Sequence, residues 1–158
     1  MTLRQVLAIA ATMLVPISAP MSAVASTDGG DPAFGYWLTE NGKAIVEFAP
    51  CGSKTCGRMV WVANPNDDQG KPKLDVANLD EAKRGRPICG LDLVGGLDAD
   101  GPGAWTDGWI YNPRDGSTYS ANIQAISGDK LKVRGYLGLS LLGSSQTWTR
   151  VANDRGGC

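Results

Sequence analysis

The sequence predicts an antiparallel all-β domain, a sandwich or a barrel. Three observations carry this. About eight short β-rich runs are separated by turn signals. Where the runs alternate cleanly, each offers one apolar face. A helical pattern is confined to a few residues after Asn78. No repeat of 20–50 residues suggests a solenoid.

The runs follow in order. FGYWLT (34–39) is aromatic and opens the domain. KAIVEFAP (43–50) comes just after Asn41-Gly42, a strong hairpin signal. GRMVWVA (57–63), ICGLDLVGG (88–96) and AWTDGWIYN (104–112) are the third to fifth runs. Pro113-Arg114-Asp115-Gly116 then turns the chain, because Pro presets φ and Gly accepts a positive φ. STYSANIQAI (117–126) places Tyr119, Ala121, Ile123 and Ala125 on one face. After Ser127-Gly128-Asp129, KLKVRGYL (130–137) turns Leu131, Val133, Gly135 and Leu137 inward and Lys130, Lys132 and Arg134 outward. SSQTWTR (144–150) is the last run. GYLGLSLLG between them is too rich in glycine for a helix and too short to span a membrane.

One segment interrupts the pattern. Residues 64–88 are polar and long, with room for a helix of about six residues capped by Asn78 and Glu81 and ended by Gly85 and Pro87. Such a loop is a functional lid or a solvated excursion. Asn64, Asn66, Asp68 and Asp75 stand in loose calcium-loop order, but the glycine is displaced to Gly70 and Asp75 replaces the closing Glu. Asp98-Ala99-Asp100-Gly101 is a second fragment of this kind. Turn chemistry explains both, so no metal or cofactor is expected.

The compartment is read from the start of the chain. Arg4 precedes an apolar run, Val6 to Val15, and Ala23-Val24-Ala25 has A-x-A spacing. This is the layout of a signal peptide over residues 1–25, leaving one domain over 26–158 in the periplasm or outside the cell. The four cysteines fit such a compartment. Cys51 and Cys56 flank a hairpin turn and are expected to pair, and Cys89–Cys158 follows by elimination. Half a zinc site in C-x4-C has no second half.

Charge and composition exclude more. The whole chain carries a net charge of −1, and loss of Arg4 makes the mature chain one unit more negative. That gives no basic patch for nucleic acid. Histidine is absent, so Ser-His and Cys-His catalysis are excluded. No carboxylate pair stands out, and an enzyme is not expected.

Gly35-Tyr36-Trp37 on the first run and Trp148-Thr149-Arg150 on the last resemble the lipocalin and wider calycin signature, in which a basic residue of the last strand lies over the Trp of the first. The resemblance implies that the first and last strands join and that Arg150 lies within about 6 Å of Trp37. CGRMVWV, RPICGLDLVGGL, GWIYNPRDGSTYSA and KLKVRGYLGLSLLGSSQTWTR together resemble a family of small exported bacterial proteins of unknown function with a lipocalin-like barrel. The resemblance therefore implies an antiparallel up-and-down barrel of roughly eight strands, to which the residue pattern adds one short helix in the long loop. In it, Gly135, Gly138 and Gly143 serve a barrel corner.

A barrel of this size can hold one small ligand. Trp61, Trp109, Tyr111, Tyr119 and Tyr136 are the candidate cavity residues, with Tyr111 and Tyr119 hydroxyls orienting a polar head. The expected ligand is a small apolar or amphipathic molecule, covered by the 64–88 loop. The alternative is a cell-envelope interaction protein with a filled barrel. A cavity of a few hundred Å3 separates the two.

Overall fold

The computed structural model describes residues 30–139 and 141–158. The leader expected over residues 1–25 lies outside the described residues. Eight strands follow one another: β1 Gly35–Leu38, β2 Ala44–Cys51, β3 Lys54–Val62, β4 Asp92–Ala99, β5 Ala104–Asn112, β6 Ser117–Ser127, β7 Lys130–Tyr136 and β8 Gly143–Val151. Each pairs antiparallel with the next, and β1 pairs with β8, so the sheet closes into a barrel without edges. In the closing ladder Trp37 stands directly opposite Arg150.

Up-and-down order sorts the connections to two poles. Residues 30–34 and the short turns after β2, β4 and β6 gather at one pole, while the tail after β8 runs back along the outside of β3, past Trp61, to Cys89. The β1–β2, β3–β4, β5–β6 and β7–β8 connections gather at the other. The first pole is sealed. The Arg150 guanidinium sits 4.1 Å from the Trp37 ring centroid. It donates from Nη1 to the Phe34 carbonyl, from Nη2 to Pro32 and from Nε to Gly128. Trp37 donates from Nε1 to Ala33, and Trp105 donates to Asp31. Gly35 is needed in this seal: its φ is +111°, and a Cβ there would lie 2.9 Å from Arg150 Nη1.

The core runs up from this seal through Trp37, Phe48, Val46, Val94, Leu97, Trp105, Ile123, Leu131 and Trp148. Phe48 and Trp148 are tilted neighbours with centroids 6.0 Å apart. Both disulfides are formed, Cys51–Cys56 and Cys89–Cys158, with Cα separations of 5.8 and 5.7 Å. The first hairpin is tighter than the sequence suggests. Cys51 pairs with Lys54 and Cys56 with Ala49, so the two cysteines bridge the ladder diagonally.

Two expectations need correction. ICGLDLVGG does not begin a strand at Ile88: β4 starts at Asp92, because Gly90 donates to the Met59 carbonyl and Cys89 is tied to Cys158. The helix in the long loop is a single 3-10 turn, Glu81–Lys83, capped by Asp80 and not Asn78. Asn78 is occupied elsewhere: its Nδ2 donates to Asp75 and to the Tyr111 hydroxyl.

Candidate ligand-binding site

Above the core, the barrel opens into a cavity of about 680 Å3. That lies within the usual range for small-molecule sites. Its walls are the inward residues of the strands. Met59 and Val62 come from β3, Leu93 from β4, Ile110 from β5, Tyr119 from β6 and Val133 from β7. Strand β8 contributes Trp148, Gln146 and Ser144 at two-residue spacing. Trp148 lies two residues before the Arg150 plug and forms part of the floor. Its Nε1 donates to Gln146 Oε1.

The mouth is basic. Lys43 from the β1–β2 turn, Lys73 from the long loop and Arg114 from the β5–β6 turn all line it, and no acidic side chain does. None of the three cations has an ion-pair partner among the described residues. Asp115 follows Arg114, but its oxygens accept from Asn112, Ser117 and Tyr119. These bonds, led by the Ser117 backbone N–H, hold the Asp115 carboxyl below its ordinary pKa.

The five candidate aromatics divide. Tyr119 lines the cavity near the mouth, its hydroxyl given to Asp115. Tyr136 only touches the rim: it follows inward Gly135, points outward, and donates to outward Asn122 at 3.4 Å. Tyr111 borders the cavity too, but its ring is turned to the outer face, under the long loop. Its hydroxyl donates to Asp75 at 2.5 Å and accepts from Asn78. Trp61 and Trp109 do not line the cavity. Trp61 lies on the outside, with the Arg155 guanidinium 5.0 Å from its ring.

β-Bulges explain these departures. In β5 the register shifts between Trp105 and Gly108, where Asp107 has φ 57°. One extra residue reverses the parity of every later side chain. Trp105 and Ile110 therefore face inward, while Trp109 and Tyr111 face outward. Trp109 lies over Gly95, where a Cβ would stand 2.4 Å from the indole. The ladder opposite Val60 is irregular in the same way and turns Trp61 outward. Asp107-Gly108 was the available signal, since Gly inside a strand often marks a bulge. Trp148, Gln146 and Ser144 were also readable, from the alternation of SSQTWTR.

The long loop covers less of the mouth than its length suggests. Asn64, Lys73 and Ile88 border the cavity. Its middle instead straps the outer face of β5. There Asp75 is fully buried and accepts from Tyr111, Asn78 and the Arg86 guanidinium. Those contacts occupy the carboxylate that calcium-loop spacing had made a candidate ligand. Burial, and then the Asp75 carboxylate, raise the Tyr111 pKa above its ordinary value.

Residues 35–150 match the bacterial family DUF2147, described as an uncharacterized protein conserved in bacteria. The chain belongs to this family. A solved structure of similar fold is protein HP1028 from the human pathogen Helicobacter pylori, described as belonging to the lipocalin family. The two share 23% identity and a TM-score of 0.68, over 78% of this chain and 85% of the other. No curated protein matches. For this DUF2147 chain the likeness establishes the lipocalin-like barrel, and the cavity must speak for the function. No helix among the described residues is long and apolar enough to cross a membrane.

Proposed function

We infer that this chain is an exported binding protein, without catalytic activity, for a small amphipathic molecule with an acidic head. The cavity carries the reading: about 680 Å3, apolar in its depth, with three cations at its mouth that form no ion pair among the described residues. An acyl chain or flat apolar ring fits the inner walls, and the head meets Lys43, Lys73 and Arg114. This moves the polar anchor from the Tyr111 and Tyr119 hydroxyls, which Asp75 and Asp115 already engage. A filled barrel was the premise of the envelope-interaction alternative, and the cavity opposes it. Two disulfides support export to an oxidising compartment.

Titration with lauric acid, lauryl alcohol and apolar fluorophores, followed by indole emission, tests this. Laurate should bind with Kd below about 100 μM, roughly −5.5 kcal/mol. The emission change should vanish in Trp148→Phe and persist in Trp61→Phe. Lys43→Glu with Arg114→Glu should weaken laurate more than the alcohol. Binding no tighter than 100 μM for all of these probes overturns the reading.

A further inference from the structure

We propose that the β7–β8 connection, residues 137–142, docks the barrel mouth on the surface of an anionic lipid bilayer. Leu137, Leu139, Leu141 and Leu142 are 62%, 70%, 86% and 71% exposed within this six-residue loop. Four large apolar side chains so exposed in one loop are unusual on a soluble domain. Among its described residues, Leu142 N–H donates to the Leu139 carbonyl. No charged residue interrupts the sequence from Gly135 to Thr149.

Two further observations choose the occupant. Leu137 and Leu142 also line the cavity, so one apolar surface runs from the barrel interior to the loop tip. Lys43, Lys73 and Arg114 ring the same mouth without ion-pair partners among the described residues. Glu40, which accepts from the Thr147 N–H, and Asp115, which accepts from Asn112, Ser117 and Tyr119, form no ion pair with these cations and do not line the cavity. An apolar tip surrounded by these cations complements acyl chains beneath anionic headgroups. A second copy of this chain would offer leucines but bring its own cations to the contact. The docking surface stands on the loop and rim alone. Its use in loading a ligand rests on the function proposed above.

Flotation of the full mature protein with vesicles provides the test. With phosphatidylglycerol-containing vesicles the protein should float, and with pure phosphatidylcholine it should float several-fold less. Leu139→Asp with Leu141→Asp should weaken binding by about tenfold or more, as expected when buried apolar area is lost and charge is added. Neither residue lines the cavity, so this variant should keep its far-UV spectrum and its titration with dissolved laurate. Lys43→Glu with Arg114→Glu should lose the preference for anionic vesicles. The proposal is overturned if the native protein floats with neither vesicle. It is also overturned if sedimentation shows a dimer that the two aspartates dissolve while flotation is unaffected. Flotation without laurate binding would retain the docking surface and remove only the cavity reading.

Discussion

Arg150 does three things with one side chain. It stacks on Trp37, fills the space over Gly35, and donates to three backbone carbonyls from two separate segments. A guanidinium over an indole contributes about 0.5–2 kcal/mol, and hydrogen bonds from a charged donor about 1.5–3 kcal/mol. Arg150→Ala should therefore cost about 3 kcal/mol in urea unfolding. Arg150→Lys should recover only a minor part, because an ammonium lacks the planar fork. Tyr111 offers a pH signature. Its folded pKa is raised, so the folded state holds the proton more tightly than the unfolded chain. The resulting stability is complete below the ordinary tyrosine pKa and is lost as pH rises through the folded value. Tyr111→Phe should lower stability near neutral pH by about 1–2 kcal/mol. It should also flatten the alkaline loss of melting temperature above about pH 10.

The strands themselves were largely legible. β5 follows AWTDGWIYN residue for residue, and β7 places Leu131 and Val133 inward as alternation requires. Parity after a bulge was less legible. Trp109 and Tyr111 read as inward only if the two-residue period runs unbroken through Asp107, and there it does not. The cationic mouth was harder still. Lys43, Lys73 and Arg114 lie far apart in sequence and meet only through closure of the barrel, so no local pattern announces them. The disulfides also act at this scale. Cys51 and Cys56 are 5 residues apart, Cys89 and Cys158 69. The chain-entropy relation gives about 2 kcal/mol for the first and about 4 kcal/mol for the second. Replacing Cys89 and Cys158 by Ser should thus lower the denaturation midpoint about twice as far as replacing Cys51 and Cys56.

For the whole molecule, the division into poles separates stability from recognition. The seal uses residues 30–34, Trp37, Trp105, Gly128 and Arg150, none of them in a mouth connection. Replacing residues 137–142 by Asn-Gly should change folding stability by less than about 1 kcal/mol, since loop length weighs little. It should lower affinity for apolar ligands, because Leu137 and Leu142 leave the cavity wall. Calorimetry and emission titration on the same sample check both. The direction of the first strand has one more consequence: β1 begins beside the seal, facing away from the aperture, whereas the tail after β8 is tied to Cys89 in a mouth connection. A tether, label or fusion partner spliced ahead of β1 leaves the aperture unobstructed, as in a cup held by its base. This DUF2147 barrel is thereby suited to immobilisation as a sensor, with specificity set by exchanging rim loops.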